Sequence, residues 1–389
     1  MRLLNMVRKC YREQKRDLWV LGLSLMFAPL FVFIYYLMTG GTGSTSYAVL
    51  VINADRPAAR ADGTRLAAGE EIVQALRDLS YKSGNPLLRV SLADDQAAAE
   101  RQVRDRYAAV LLVIPKEFSE TLAAYQGGDT RATTQVTLVG DLTNPAYTIA
   151  AVMVMSAADA YINAETQAPR PVTLNEIALG ASSLRSEFEN YIPGLLVMAV
   201  VLMVFQAAMT PARDIESGTL RRIRLTPVSS LEYLGGLSIW MTLVAVLSIL
   251  ITFATAAGLG FRSQGPLGAA ILIDIIAALS VIAIGLIVAC LSKTVSQAFV
   301  IANFPLGFLM FLTGAAFPLP RPTLFNLFGH AVSYADFLPP THAVIALNKI
   351  FTLGAGIKDV AFEIAALVLL TLVYFGVAVW LFQRTQMQR

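Results

Sequence analysis

The residues best equipped to do chemistry are four arginines and two acids crowded into one polar stretch, Thr210–Pro227. They are Arg213, Asp214, Glu216, Arg221, Arg222 and Arg224, and the stretch lies between two membrane-length apolar runs. Such residues offer charged contact with another molecule rather than bond making. No serine–histidine–acid set and no pair of carboxylates stands out elsewhere, so no catalytic residues are assigned. The histidines are His330 and His342 and the cysteines Cys10 and Cys290, too few and too scattered for a metal motif. No Gly-x-x-x-x-Gly-Lys-Ser/Thr occurs, so the chain has no P-loop for ATP.

The elements that would position these charges follow from local pattern. Pro211 and Pro227 bracket the stretch, and proline ends or bends helices. Leu220, Ile223 and Leu225 alternate with Arg221, Arg222 and Arg224, which reads as a short amphipathic helix over Thr219–Leu225. Ser217 or Thr219 is placed to cap it, and Gly218 is free to turn the chain at positive φ. Thr226 and Pro227 close the segment. One reading makes it a working contact with a soluble partner. The other makes it a positive loop that only fixes topology.

The surrounding chain is a membrane protein by composition. Its 389 residues are 56% hydrophobic and 15% charged, with mean hydropathy +0.60. A net charge of +3 is too small to point to nucleic acid. Apolar runs at 18–38, 191–210, 231–259, 267–291, 297–316 and 360–382 are each about membrane length. The first is longer than the roughly 7–15-residue core of a signal peptide, although the Thr39–Ser46 run leaves cleavage conceivable. Ahead of it, Arg2, Arg8, Lys9, Arg12, Lys15 and Arg16 interleave with Leu3, Leu4, Met6, Val7 and Tyr11. That pattern suits an interfacial helix over 1–17, with a plain basic flank as the other reading.

Charge asymmetry sets the orientation. With both termini inside, the short inside segments hold the six basic residues before Asp17, then Arg213, Arg221, Arg222, Arg224, Lys293, Arg384 and Arg389. The short outside loops hold only Arg262, Arg321, Lys349 and Lys358. The loop 211–230 and the tail 383–389 are then cytoplasmic. Both cysteines fall on that side, so no disulfide is expected.

Between spans one and two, residues 39–190 read as an extracytoplasmic α/β domain with a helical stalk. Strands are expected at Tyr47–Asn53, Leu87–Leu92, Ala108–Ile114 and Gln135–Val139. Helices are expected at Gly63–Lys82, Asp94–Tyr107 (capped by Asp94 or Asp95), Lys116–Tyr125 and from Pro145 to about Thr166. Near the other end, 317–350 is apolar but broken by prolines, which predicts an outer re-entrant pair of short helices. Asp274 is an acid inside span four. It is a functional candidate by position, unless it snorkels to the nearby outer interface. The fold class is therefore an α-helical polytopic membrane protein with six transmembrane helices and an inserted extracytoplasmic α/β domain.

Four motifs, in order, make the chain resemble the ABC type-2 permeases, the membrane subunits of ATP-binding-cassette exporters. They are Asp141-Leu-Thr-Asn-Pro145, Tyr191-Ile-Pro-Gly194, Arg213-Asp-Ile-Glu-Ser-Gly-Thr-Leu-Arg-Arg-Ile-Arg-Leu-Thr-Pro227, and Leu312-Thr-Gly-Ala-Ala-Phe-Pro318 followed by Leu338-Pro-Pro-Thr341. The chain departs from the family in two places. Ser217 separates Glu216 from Gly218, and Gly235-Gly236 stands where a lysine often follows a glycine. The resemblance implies a bacterial cytoplasmic (inner) membrane location and a second permease copy or paralogue. It also implies a separate ATP-binding subunit that carries the ATP and magnesium this chain lacks. That subunit would meet Arg213, Asp214, Glu216, Gly218, Thr219, Arg221, Arg222, Arg224, Thr226 and Pro227, with Leu220 and Ile223 filling a groove on it. Spans two and five would line the path, offering Met203, Phe205, Gln206, Gln297, Asn303 and Phe304. Those walls suit an amphipathic or lipid-like substrate such as a drug, antibiotic or lipid, unless they only pack or face lipid. The alternatives are a membrane-anchored ligand sensor, which needs fewer spans, and a secondary transporter, which usually shows repeats and more mid-membrane charge.

Overall fold

The computed structural model describes residues 2–16, 18–38, 45–60, 62–81, 84–129, 131–142, 144–166, 186–316, 323–327 and 330–387. It divides into two compact units, Ser44–Ile177 and Met1–Gly43 with Ala178–Arg389.

The first unit is α/β. Its strands β1 (Tyr47–Asn53), β4 (Leu88–Leu92), β5 (Val110–Ile114) and β6 (Thr137–Val139) form one sheet in the order β4-β1-β5-β6. β1 runs parallel to β4 and β5, and β6 is antiparallel to β5, so the sheet is mixed. The short strands β2 (Ala58–Ala59) and β3 (Arg65–Leu66) pair separately. That pairing delays the first helix of the unit, which starts at Ala68 rather than Gly63. Alternation along the strands sorts the two faces. Val49, Val51, Val110, Leu112 and Ile114 face the helices Ala68–Asp78, Phe118–Gln126 and Pro145–Thr166, while Leu50 and Leu111 face Gln96–Arg104. Following α1 (Arg2–Arg16) and α2 (Leu18–Met38), these helices in chain order are α3 (Ala68–Asp78), α4 (Gln96–Arg104), α5 (Phe118–Gln126) and α6 (Pro145–Thr166). Asp95 caps α4 by accepting from Ala97 N.

Just past β1, Asp55 fills the place where an open α/β sheet would receive an anion. Its carboxylate accepts the Gly69 N–H at the start of α3 (2.9 Å), the Ser119 N–H at the start of α5 (2.8 Å) and the Ser119 hydroxyl (2.5 Å). The positive ends of two helices thus share one internal counter-charge.

The second unit is helical. α1 and α2 are followed by α7 (Glu187–Val201), α8 (Met203–Glu216), the short α9 (Thr219–Arg224), α10 (Ser230–Gly258), α11 (Leu267–Leu291), α12 (Val295–Phe311), α13 (Pro339–Leu353) and α14 (Ala361–Phe382). α7 and α8 make one rod with a single-residue turn at Leu202. Ser186 and Glu189 start it with a capping box, four residues before the apolar run that marks it in the sequence. Among the described residues, five helices are long and apolar enough to cross a membrane by length and composition. They are Pro145–Thr166, Phe188–Glu216, Ser230–Gly258, Leu267–Leu291 and Ile357–Met387. Pro145–Thr166 is α6, whose Ala150 and Val154 pack into the α/β core. The 21-residue α2 and the 17-residue α12 are the remaining apolar rods of the helical unit. The whole is a helical membrane protein with an α/β region near its N-terminal end.

Two expectations change. Among its described residues, the segment 317–350 is more than a pair of helices. Its described part begins as the hairpin β7 (Phe325–Leu327) and β8 (His330–Val332), followed by a 3-10 turn over Tyr334–Phe337 and then α13, with Pro339 and Pro340 in its first turn. Asp274 does not snorkel. It is 1% exposed, and its Oδ1 has no hydrogen-bond partner among the described residues. Residues 39–44, 167–185 and 317–322, which include most of the Gly/Ser/Thr run and the stalk, lie outside the described residues.

Removing the Asp55 carboxylate leaves two helix starts without an acceptor, and charged hydrogen bonds of this kind contribute about 1.5–3 kcal/mol each. In hydrogen exchange on the full chain, Asp55→Ala should deprotect the Gly69 and Ser119 amides while α11 keeps its protection. Unchanged exchange at both amides would show that Asp55 does not hold them.

Candidate functional site

Pro211 does not end span two. α8 runs through it to Glu216, and Pro211 is buried. Membrane helices tolerate proline where neighbours satisfy the freed backbone groups. The first half of the polar stretch is therefore the last turn and a half of a span. The chain then reverses at Gly218, whose φ of 71° is strained for any side-chain-bearing residue. Gly218 is itself the N-cap of α9. Ser217, one residue before it, accepts the Thr219 N–H through its hydroxyl at 3.4 Å, and the Ser217 and Thr219 hydroxyls sit 2.9 Å apart, bonded to each other. After α9, the Thr226 hydroxyl donates to the Ile223 carbonyl (2.6 Å), and a Ser229–Glu232 capping box opens α10.

Burial sorts the segment into an inner and an outer face. Leu220 and Ile223 are buried in the core of the helical unit, in the same cluster as Tyr233 and Phe382. They anchor α9 to its own subunit, which corrects the expectation that they fill a partner's groove. Arg213, Arg221, Arg222, Thr226 and Pro227 are exposed, and Leu225 is 89% exposed. Arg224 is intermediate.

The two acids are already engaged. Asp214 is only 5% exposed. Both its oxygens accept from the Lys9 ammonium of α1, at 2.7 and 2.8 Å, and one accepts the Tyr233 hydroxyl of α10 at 2.7 Å. Lys9 also reaches Glu13 at 3.1 Å. Burial by itself would lower the Lys9 pKa, but Asp214 and Glu13 outweigh it and hold the ammonium above its ordinary value. Glu216 accepts the Val295 N–H at 2.8 Å, where the start of α12 favours a carboxylate. Asp214 is thus turned inward rather than toward a partner, and Glu216 ties span two to span five.

α1 completes the site. The Arg2 guanidinium donates to the Pro227 carbonyl at 2.8 Å. A Cβ on Gly236 of α10 would lie 2.5 Å from the Met6 Cβ, so that glycine seats α1 closely. The departure from the family pattern at Gly235-Gly236 therefore has a steric reason here. Cys10, on the same helix, is buried, and burial pushes its thiol up to about 12.

The six path residues do not form one wall within the chain. Met203 is buried in the core, and Gln206 donates to Ser24 of α2 at 2.5 Å. Gln297 accepts the Lys293 N–H at 3.0 Å. Phe205 stacks on Phe299 of α12, with centroids 5.1 Å apart. Asn303 is exposed, as is Phe304 at 69%. Two of the sequence motifs do meet: a Cβ on Gly194 would come within 2.2 Å of the Ala315 carbonyl oxygen, so Pro193-Gly194 and the end of span five are in direct backbone contact. Sequence reasoning missed Lys9 and Tyr233. Lys9 is one basic residue among six, and only the unpaired look of Asp214 beside an apolar run hinted at a remote cation.

Residues 15–380 match the family of ABC-2 family transporter proteins, nearly the whole chain, and the chain belongs to that family. It is the membrane subunit of a transporter, itself non-catalytic, with ATP handled by a partner ATPase. No curated protein and no solved structure matches it.

Breaking a buried ion pair from one side costs about 3–5 kcal/mol, here at the low end because Glu13 still faces Lys9. Asp214→Asn should loosen α1 and make Cys10 react faster with maleimide. The raised Lys9 pKa means that its share of the stabilisation is full below 10.5 and is lost only as pH rises through the folded value. The protection should therefore hold at pH 7 and 8. Cys10 labelling at the wild-type rate in Asp214→Asn would show that the pair does not hold α1 down.

Proposed function

We propose that the chain is the permease subunit of an exporter that moves an amphipathic or lipid-like molecule, such as a drug, antibiotic or lipid, outward. A separate ATP-binding subunit drives it, and a second copy or a paralogue completes the pair. The observation that carries this reading is the two-faced α9. Leu220 and Ile223 fix it inside the subunit, while Arg221, Arg222 and Leu225 stand outside without burial. A soluble partner pressing on that outer face moves α9 as a body. Asp214 passes the motion to α1 and α10, and Glu216 passes it to α12. Arg213, Gly218, Thr219, Arg224, Thr226 and Pro227 shape and flank the contact.

In this reading both termini and the 211–230 loop face the cytoplasm of a bacterium, and residues 39–190 lie outside the inner membrane. The excess of Lys and Arg on one side supports it. The buried Cys10 is a poor topology probe. Asp62 sits on an exposed turn of the α/β unit, so Asp62→Cys in intact cells should label with an impermeant maleimide, and labelling only after lysis would reverse the orientation.

For the contact itself, Arg221→Glu with Arg222→Glu reverses two exposed charges, and close interfacial charges of the wrong sign cost several kcal/mol of association. The pair should lower recovery of the ATP-binding subunit on co-purification at least tenfold, with the spans still inserted. Gly218→Val should keep every charge yet uncouple ATP turnover from transport, because φ of 71° excludes a β-branched residue. Wild-type recovery and wild-type ATPase in both variants would make the segment a topology loop.

A further inference from the structure

Beneath α1 lies a cleft of about 460 Å³, closed by α8, the start of α9 and α10. Its size falls in the range of small-molecule sites, roughly 300–1,000 Å³. Its lining is divided. Met209 and Met241 give an adaptable apolar side, and Trp240 gives an aromatic one. Glu13 and the buried Asp214 give an acidic end.

The two acids at that end are not served equally by Lys9. One ammonium, Lys9, serves two carboxylates. Asp214 takes it at 2.7 and 2.8 Å and has the Tyr233 hydroxyl as well, whereas Glu13 has it only at 3.1 Å. Glu13 is half exposed and is left the less neutralised acid. Arg213 also lines the cleft, but its side chain is exposed and already engaged in an interaction of its own. Trp240 is held in place, with its indole N–H donated to Gln14 and its ring packed edge-on against Tyr11 at 5.4 Å. A fixed aromatic ring and a half-exposed carboxylate lining one cleft suit a cation, and a methionine side extends the site for an apolar body.

We propose that this cleft binds a hydrophobic organic cation, with its charge beside Glu13 and Trp240 and its apolar part along Met209 and Met241. Asp214 forms part of the same wall, so an occupant sits against the ion pair that joins α1 to α8. Occupancy therefore alters the ATP turnover that the coupling segment drives. Only that consequence rests on the exporter reading; binding stands apart from it.

The probe is tetraphenylphosphonium, with tetraphenylborate as its anionic counterpart, on the full chain in neutral-lipid proteoliposomes. The chain has three tryptophans, and Trp19→Phe with Trp380→Phe leaves Trp240 as the sole reporter. Tetraphenylphosphonium should give a saturable change in Trp240 emission that tetraphenylborate does not. Glu13→Gln should weaken it about tenfold, and Met209→Phe, which fills the cleft without touching charge, should weaken it similarly. Flow dialysis of the chain with all three tryptophans makes the same comparison without the tryptophan changes. Absence of saturable binding, equal binding of the anion, or undiminished binding in Glu13→Gln would each overturn the proposal. Co-purification of the ATP-binding subunit with the wild-type chain reports on the exporter reading separately, so the two fail independently.

Discussion

An ionised carboxylate buried at the end of a membrane helix is costly unless a cation lies against it, and Asp214 is buried there with Lys9. Much of the helical unit's arrangement follows from meeting that requirement. Lys9 belongs to α1, so neutralising Asp214 draws α1 onto α8. The other partner of the carboxylate, the Tyr233 hydroxyl, belongs to α10, so the same charge fixes α10. A helix drawn in by its lysine also needs a surface to lie on, and Gly236 supplies it by having no side chain under Met6. Arg2 then reaches Pro227 and closes the far end of the segment. One electrostatic necessity at a single aspartate thus sets the relation of three helices.

Spans two and five are joined at three levels. Glu216 holds the first turn of α12, the Phe205 and Phe299 rings stack partway along, and Gly194 touches Ala315 beyond the end of α12. Two rods pinned at both ends and in the middle resist sliding past each other. They move instead as one body, which is the kind of displacement that packed helices transmit over distance.

The architecture was legible where pattern and period agree. β1 and α6 stand where the sequence put them, because Tyr47–Asn53 is a bounded β-branched run and Pro145 marks a helix start. The positive φ of Gly218 was also legible, since a glycine before a helix-forming run has few other reasons to be there. The errors share a cause. Pro211 was read by local rule as a helix end, but membrane packing overrides the rule. Leu220 and Ile223 were recognised as one apolar face, yet periodicity cannot say whether such a face meets its own core or a stranger's. The hairpin at Phe325–Val332 was hidden because its strands are three residues each and too short to show alternation. Lys9 was hidden because its partner lies 205 residues away.

The Asp55 carboxylate has a consequence for how the α/β unit comes into being. A domain whose helix N-termini wait for a dissolved anion acquires its final form only where that ion is abundant. Here the anion is tethered to the chain, and tethering gives an effective concentration on the order of millimolar or more that no dilution can lower. The unit carries its counter-ion with it. The starts of α3 and α5 thereby need no salt or phosphate from the medium around them.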